Sequence, residues 1–241
     1  MRLSVIIPVK NEAGNIASLV AELETACADL GPFEVIYVDD GSTDGTAEAL
    51  AAARAGRPWL RVLAHDRTAG KAAGVHTGIA AARAPICALM DGDGQNDPAY
   101  LAPLLEAIES GGARVGLAQG QRVGRKDGRL KTIQSRIANG VRVRILKDAT
   151  RDTGCGYKLV RREVYQALPF FDGLHRFMPA LVARAGYGVV HRDVVDRPRF
   201  TGTSKYGLFD RLWVGLLDLA GVWWLIRRKR VTPQVRDVTG A

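Results

Sequence analysis

The sequence predicts an α/β fold, in which a mostly parallel sheet is flanked by helices. Short apolar runs alternate with Ala-rich helical patterns through the first half of the chain, and this rhythm is typical of parallel strands joined by helices. Three of the apolar runs end in polar clusters, and sheets of this kind bind ligands beyond the carboxyl ends of their strands. The length of 241 residues is within the range of one large α/β domain.

The first half of the chain carries the regular pattern. Apolar runs such as "LSVIIPV" predict strands over 3–9, 33–40, 60–65, 85–91 and 113–120. The Ala-rich stretches between them predict helices over 15–29, 43–56, 70–83 and 98–110.

The second half is less regular. It predicts a basic helix over 131–146, a Gly-rich turn over 151–158 and a further helix over 175–187. The stretch "GVVHRDVVDRPRF" (188–200) predicts a late strand that leads to "TGTSKYG" (201–207).

The apolar stretch "LWVGLLDLAGVWWLI" (212–226) is too short to span a bilayer comfortably, and Asp218 interrupts it. A core helix is one interpretation. A helix at a membrane interface is favoured, because this Trp-rich stretch is followed directly by "RRKR". The chain is thus divided into a main domain over 1–207, a membrane-interface helix with a basic end over 208–230 and a flexible tail over 231–241.

Charge and cysteine content limit the function classes. The net charge is +9, with acidic residues in excess over 1–121 and basic residues in excess from 122 onward. This predicts either a solvated basic surface or contact with phosphate, nucleic acid or an anionic membrane. Three cysteines without CxxC spacing, and an N-terminus without a signal-peptide pattern, indicate a cytosolic protein with reduced thiols.

The polar clusters "KNE", "DDGSTDGT" and "DGD" are expected to meet at one edge of the sheet. No GxGxxG or GxxxxGK[ST] motif follows the strands, so a nucleotide would be held in another way. Asp39 suits hydrogen bonding to a base N–H or to ribose hydroxyls. Asp40, Ser42 and Asp44 are expected to shape the turn and to cap the next helix.

Asp91 and Asp93 follow an apolar strand with only a glycine between them. Two like charges this close repel each other, so a cation is expected beside them. Hard cations such as Mg²⁺ take carboxylate and amide oxygens and bridge to phosphates, and Gln95 offers a further oxygen. An Asp/Gly turn without a ligand is the alternative, and the neighbouring "DDGS" cluster favours the metal.

The basic segment suits an anionic acceptor. A phosphate monoester is largely dianionic at neutral pH, so it needs no general base to act as a nucleophile. It needs Arg and Lys side chains to hold it, and Arg122, Arg136, Arg199 and Lys205 are the candidates.

The stretches "SVIIPVKNEAGNI", "VDDGSTDGT" and "MDGDGQNDP" resemble family 2 glycosyltransferases, which have the GT-A (Rossmann-like) fold. "RDTGCGYKLVRREV" and "RPRFTGTSKYG" are similar to the polyprenyl-phosphate, dolichol-phosphate mannosyltransferase-like branch, and the similarity covers about residues 3–207. It implies an inverting, metal-dependent transfer of a sugar from a UDP- or GDP-sugar to an undecaprenyl- or dolichyl-type phosphate. The enzyme would be peripheral on the cytoplasmic face of the inner membrane. Some members carry C-terminal transmembrane hairpins, where this chain has only the 212–226 segment as a C-terminal apolar helix.

The resemblance also implies roles for individual positions. The nucleotide-sugar would contact Pro8, Glu12, Asp39 and Asp91, and a segment that closes over it would carry Arg199, Ser204 and Lys205. Mg²⁺ or Mn²⁺ on the donor diphosphate would be held by Asp91, Asp93 and Gln95. The acceptor phosphate would lie near Arg122 and Arg136, and these two residues with Asp93 would be catalytic.

Two alternatives stay open. A family 2 enzyme acting on a sugar hydroxyl, in polysaccharide or glycolipid synthesis, would need a general base, for which Asp152 is the candidate. A basic peripheral binding protein without catalysis would bind anions in a salt-dependent way. Nucleic acid is not expected as a partner, because the convergent carboxylates would oppose a polyanion. The sugar, the nucleotide, the lipid length and self-association into a homo-oligomer also stay open.

Overall fold

A mixed β-sheet lies at the centre of the protein. The structure is a computed structural model that describes residues 1–124, 140–198 and 208–228, without the side chains of 208–214. The strands are β1 (Leu3–Val9), β2 (Phe33–Asp39), β3 (Leu60–Ala64), β4 (Ile86–Leu89), β5 (Val115–Arg122), β6 (Lys158–Arg161) and β7 (Gly188–Val194). They form one sheet in the order β3-β2-β1-β4-β6-β5-β7.

Helices connect and cover these strands. They are α1 (Ala13–Cys27), α2 (Thr46–Arg54), α3 (Lys71–Ala81), α4 (Leu101–Ser110), α5 (described over 140–146), α6 (Arg162–Gln166), α7 (Leu174–Ala185) and α8 (Leu208–Arg227). Short 3₁₀ turns precede and follow α4, at Pro98–Tyr100 and Gly112–Arg114.

The alternation of side chains along β1 explains the two layers of the core. Leu3, Val5 and Ile7 are fully buried on one face, in a cluster with residues of α1 and α4. Ile6 is fully buried on the opposite face, in a cluster with residues of α3 and α7. Successive side chains of a strand point to opposite faces, so a strand covered by helices on both sides is apolar throughout.

The predicted strands and helices of the first half are confirmed, with ends that shift by a few residues. The second half differs more. Residues 151–157 form the predicted turn, but Lys158 already belongs to β6, and neither β6 nor α6 was predicted. β6 is a short run, "KLVR", in which charged residues flank the apolar pair, so no clear period marks it.

The late strand is shorter than predicted, since it ends at Val194. Beyond it the backbone N–H of Arg197 donates to the carbonyl of Gln95 instead of to a neighbouring strand. Of the predicted basic helix, residues 140–146 are helical and 131–139 lie outside the described residues, as does the 231–241 tail.

The strand directions place the polar clusters on one edge. β1, β2, β3 and β4 are parallel to one another, while β6 is antiparallel to both β4 and β5. Because β6 runs antiparallel to both of its neighbours, β5 runs in the same direction as β4. The carboxyl ends of β2, β4 and β5, at Asp39, Leu89 and Arg122, therefore lie on the same edge, together with the first residue of β6, Lys158.

The apolar segment 212–226 lies within α8. Val222 is buried against the core, whereas Leu217 and Trp224 are 71% and 54% exposed. No helix among the described residues is both long and apolar enough to cross a membrane.

Candidate active site

The carboxylate of Asp40 ties the end of β2 to the start of α3. It accepts hydrogen bonds from the backbone N–H groups of Ala69 and Gly70 at 2.8 Å and contacts His65 Nδ1 at 2.8 Å. Burial would raise the pKa of Asp40, but these hydrogen bonds outweigh it and hold the pKa below its ordinary value. Asp40 thus fixes the loop before Lys71 as well as its own turn.

The neighbouring turn orders the predicted nucleotide residues. Asp39 is buried, and one of its carboxylate oxygens accepts from the backbone N–H of Ser42 at 3.0 Å. Asp44 was expected to cap α2; the N-cap position is Gly45, and Asp44 accepts from the backbone N–H of Thr46, the first residue of the helix, at 3.0 Å. Glu12 precedes α1, and its backbone N–H donates to Thr46 Oγ1 at 2.9 Å. The turns after β1 and β2 are therefore one connected unit.

Pro8 lies in β1 directly under α3. A Cβ at Gly74 would come within 2.9 Å of Pro8 Cβ, so α3 packs closely on this proline. The proline positions α3 and its first residue, Lys71, relative to the strand ends.

The predicted metal residues lie in the loop after β4. Asp91 forms an ion pair with Lys71, and the backbone N–H of Asp91 donates to Asn96. Burial would raise the pKa of Asp91, but the positive charges of Lys71 and Lys158 hold it below its ordinary value. Asp93 accepts from the backbone N–H of Gln95 at 3.2 Å.

The loop is held from the other side by Arg197. The Arg197 guanidinium pairs with Glu22 of α1 and donates to the carbonyl of Gly94. In return, Gln95 Nε2 donates to the backbone carbonyl of Arg197 at 3.4 Å. The segment 195–198 and the 91–97 loop are therefore attached to each other.

The donor set suits a hard divalent cation that shares its coordination with a ligand. No group of three His, Cys, Asp or Glu side chains at metal-binding spacing occurs within residues 1–124, 140–198 and 208–228. Two carboxylates and an amide supply only part of the oxygen shell that Mg²⁺ or Mn²⁺ needs, and phosphate oxygens can supply the rest. Asp91, Asp93 and Gln95 fit such an ion in company with a diphosphate.

Arg122, at the end of β5, is held by two carboxylates. It donates twice to Asp152, at 2.6 and 2.9 Å, and once to Asp196 at 3.3 Å. Burial would lower the pKa of Arg122, but the hydrogen bonds and negative charge of these partners outweigh it and raise the pKa. Arg122 is a permanently charged cation with a fixed guanidinium plane.

A pocket of about 420 Å³ opens between the end of β4, the 151–158 turn and α7. Its size is that of ordinary small-molecule sites. Its polar lining consists of Lys71, Arg122, Lys158, His175 and Arg176, and Leu89 and Val75 contribute to its apolar wall. None of these lining residues is acidic, so the pocket favours an anionic ligand.

Burial perturbs two of the lining groups. It lowers the pKa of Lys158 to about 8, although the ammonium donates to the carbonyls of Thr153 and Cys155. Burial and the nearby positive charges of Lys71 and Lys158 hold the pKa of His175 well below its ordinary value. His175 is therefore neutral at pH 7.

The predicted residues thus form two adjacent groups. Arg122 lines the pocket, and Asp91 is ion-paired with the lining residue Lys71. Asp93 and Gln95 lie in the same loop as Asp91, whereas Glu12 and Asp39 lie at the turns after β1 and β2. Four predicted residues lie outside the described residues: Arg136, Arg199, Ser204 and Lys205.

Sequence reasoning predicted Arg122 but missed the other four polar residues that line the pocket. Lys71 stands after a glycine at the start of a helix that follows a polar loop, which is a recognisable position for a ligand-binding lysine. Lys158 could not be found because it enters the site on the unpredicted strand β6. His175 and Arg176 were read only as part of a helix.

Comparison with known proteins shows what the chain is similar to. The model of a family described as "Glycosyl transferase family 2" matches residues 4–168. Dodecaprenyl-phosphate galacturonate synthase from Rhizobium johnstonii is 35% identical over 95% of this chain and 68% of its own length. Undecaprenyl-phosphate 4-deoxy-4-formamido-L-arabinose transferase from Edwardsiella ictaluri is 32% identical over 86% of this chain and 63% of its own length. The chain thus spans about two thirds of these relatives.

Solved structures share the fold. A mannosyltransferase from Pyrobaculum calidifontis in complex with GDP-Man and Mn²⁺ has a TM-score of 0.69 at 22% identity, over 96% of this chain and 66% of that one. Glucosyl-3-phosphoglycerate synthase from Mycobacterium tuberculosis, in complex with Mn²⁺, UDP and glucosyl-3-phosphoglycerate, has a TM-score of 0.66 at 20% identity, over 93% and 79%. At these identities the likeness establishes the GT-A fold.

Proposed function

The chain belongs to glycosyl transferase family 2, and we propose that it transfers a sugar, with inversion, from a nucleoside-diphosphate sugar to a polyprenyl phosphate. The observation that carries the proposal is a pocket lined by Arg122 and by Lys71, the ion-pair partner of Asp91, because these lining cations suit phosphate groups. Two relatives named for polyprenyl-phosphate substrates support the choice of acceptor.

In this proposal each part of the edge has a separate task. Asp39 and Glu12 hold the nucleoside, and Asp91, Asp93 and Gln95 hold Mg²⁺ or Mn²⁺. The ion would neutralise charge that develops on the leaving diphosphate. Lys71, the ion-pair partner of Asp91, would bind the phosphates of the donor, since an ammonium suits a phosphate as well as a carboxylate.

Arg122 holds the acceptor phosphate in line with the sugar carbon. A dianionic phosphate is itself the nucleophile, so no protein group has to remove a proton. The two carboxylates on Arg122 fix its guanidinium plane, which is what orientation of a phosphate requires.

The alternative acceptor, a sugar hydroxyl, would require Asp152 to act as a base. Asp152 accepts two hydrogen bonds from Arg122, and a carboxylate in a bidentate pair with an arginine is a weak base. This geometry favours the phosphate acceptor.

We further propose that the protein acts at the cytoplasmic face of the membrane and contacts it through α8. Leu216, Leu217 and Trp224 are exposed there, and Arg227 and Arg228 follow at its end. Exposed apolar and aromatic side chains next to arginines suit an anionic lipid surface.

Thermal unfolding with UDP-, GDP- and CDP-sugars tests the donor part of the proposal, with and without Mg²⁺ or Mn²⁺. A ligand that binds only the folded state raises the melting temperature. We expect a metal-dependent rise with one nucleotide, and no rise for Asp93→Ala. A folded wild type that responds to none of the nucleotides would contradict the proposal.

A further inference from the structure

Arg142 and Asp148 form a buried ion pair at the end of α5. Both residues are 6% exposed, and Arg142 Nη1 donates to Asp148 Oδ2 at 2.8 Å. The chain returns to α5 through Lys147, whose φ of 55° lies in the left-handed region that is unfavourable for a lysine. Such a conformation persists only where the surrounding contacts hold it, so the return of Asp148 to α5 is a specified feature of this loop.

Stability does not account for this ion pair. Arg142 Nε and Asp148 Oδ1 are buried and have no hydrogen-bond partner within the described part of the chain. Burial raises the pKa of Asp148 even though the positive charge of Arg142 lowers it. Apolar side chains in place of a buried ion pair often leave a protein equally stable or more stable.

The second hydrogen bond of Arg142 leads towards the pocket. Arg142 Nη2 donates to the carbonyl oxygen of Thr150, which is 1% exposed, and Thr150 Oγ1 lies 3.1 Å from His191 Nε2 of β7. Asp152 follows two residues later and accepts two hydrogen bonds from Arg122. Arg142 therefore holds the main chain beside the carboxylate that orients Arg122.

We propose that Arg142 is a positioning residue for the acceptor site, with Asp148 as its counter-charge. By fixing the main chain at Thr150, it fixes the Asp152 carboxylate, and this carboxylate sets the guanidinium plane of Arg122. The inference rests on the proposed function, because it takes Arg122 as the group that binds the acceptor phosphate. A tilted guanidinium would move the phosphate out of line with the sugar carbon, and a displacement of about 1 Å can lower a rate about a hundredfold.

The double variant Arg142→Met/Asp148→Leu separates positioning from stability. It replaces the pair by apolar side chains of similar shape, so the melting temperature is expected to equal or exceed that of the wild type. It also removes the donor to the Thr150 carbonyl. Since Arg122 keeps its charge, we expect kcat to fall at least about tenfold, with a smaller change in the KM for the acceptor. The affinity for the nucleotide should stay the same.

Steady-state kinetics on the full chain with undecaprenyl phosphate and Mn²⁺ measures the effect. The donor is the UDP-, GDP- or CDP-sugar that raises the melting temperature of the wild type. The matched control is Arg2→Met/Glu109→Leu, which removes an ion pair with hydrogen bonds of 2.6 and 2.9 Å before the start of β1, at the other end of the strands. This control should keep the kcat of the wild type.

Thr150→Val is a second, independent variant. It removes the contact with His191 and keeps the shape of the side chain, so it should lower kcat in the same way, though by a smaller factor. If the double variant is less stable than the wild type, Thr150→Val decides, and an unchanged kcat in this variant would overturn the inference.

Two further results would overturn it. One is a double variant that is as stable as the wild type and has the same kcat, and the other is a loss of nucleotide affinity as large as the loss in kcat. If the wild type forms no lipid product with any donor, or if Arg122→Gln leaves the acceptor kinetics unchanged, the proposed function itself fails, and the inference fails with it.

Discussion

At the scale of single residues, identical side chains acquire different tasks from their hydrogen-bond partners. Asp39 and Asp40 are neighbours in sequence, yet Asp40 receives two backbone N–H groups and a histidine and is fully occupied in holding a loop. Asp39 accepts one hydrogen bond, from the backbone N–H of Ser42 to its Oδ1 atom. The difference leaves Asp39 as the carboxylate of the pair that suits a nucleoside.

Arg122 gives a direct test of the acceptor site. We expect Arg122→Gln to raise the KM for a polyprenyl phosphate by at least about tenfold, since it removes a charge-assisted hydrogen bond to the phosphate. The affinity for the nucleotide should change far less. Steady-state kinetics with varied acceptor measures the effect.

Arg151→Gln is the matched control, because Arg151 pairs with Asp193 at 3.1 Å in an exposed position. An acceptor KM that rises equally in both variants would contradict the role given to Arg122. A circular dichroism spectrum of each variant checks that the fold is intact.

At the scale of elements, the 151–158 turn and the β4 loop fit together through a glycine. A Cβ at Gly156 would lie 2.4 Å from Asp91 Oδ2. The turn is therefore in direct contact with a carboxylate of the predicted metal site, and the antiparallel strand β6 keeps it there.

Gly156→Ala is expected to displace the Asp91 carboxylate and to weaken Mn²⁺-dependent nucleotide binding at least about tenfold, because metal sites tolerate little displacement of a ligand. Gly140→Ala is the control, since a Cβ there meets no atom within 4 Å and the residue is helical. Binding that is unchanged in Gly156→Ala would show that Asp91 does not hold the ion.

The exposed face of α8 predicts attachment to anionic vesicles. Replacing both Leu217 and Trp224 by Ser should lower the fraction of protein that sediments with phosphatidylglycerol vesicles, because it removes apolar area available for burial. The melting temperature should stay the same, since neither side chain belongs to the core.

Val141→Ser removes an exposed apolar side chain from α5 and is the control for vesicle binding. If the α8 variant sediments as the wild type does, α8 is not the contact with the lipid surface.

At the scale of the whole molecule, one buried carboxylate joins several elements. Glu34 of β2 accepts from Ser4 of β1, from Arg61 of β3 and from the backbone N–H of Arg83, each at 2.7 Å. Burial would raise the pKa of Glu34, but these hydrogen bonds outweigh it and hold the pKa below its ordinary value.

Glu34 should therefore make the folded state sensitive to acid. Since its folded pKa lies below its unfolded pKa, its contribution is complete above about pH 4.3 and is lost as the pH falls towards the folded pKa. Urea unfolding of Glu34→Gln is expected to show a free energy of unfolding lower by about 1–3 kcal/mol at pH 7 and a weaker dependence on pH below 4.3.

The exposed Glu106 of α4 provides the comparison, because Glu106→Gln should change neither quantity. If Glu34→Gln keeps the pH dependence of the wild type, that dependence comes from other carboxylates and the role given to Glu34 is contradicted.

The sequence was sufficient to predict the elements in which apolar residues recur in a regular pattern. The parallel strands are apolar on both faces and the helices between them are Ala-rich, so β1–β4 and α1–α4 follow from pattern alone. β6 could not be predicted, because a four-residue run with a charged residue at each end carries no period, and its place between β4 and β5 depends on long-range pairing. Lys158 was missed for the same reason, since that pairing brings it to the edge.

The central claim is tested most directly by mass spectrometry of the lipid product after incubation with undecaprenyl phosphate, Mn²⁺ and a panel of UDP- and GDP-sugars. The account predicts one polyprenyl phosphosugar, which disappears on chelation of the metal and in Asp93→Asn, but not in the exposed control Asp29→Asn. A protein that binds a nucleotide-sugar with metal, forms no phosphosugar, and instead glycosylates a sugar hydroxyl would contradict it.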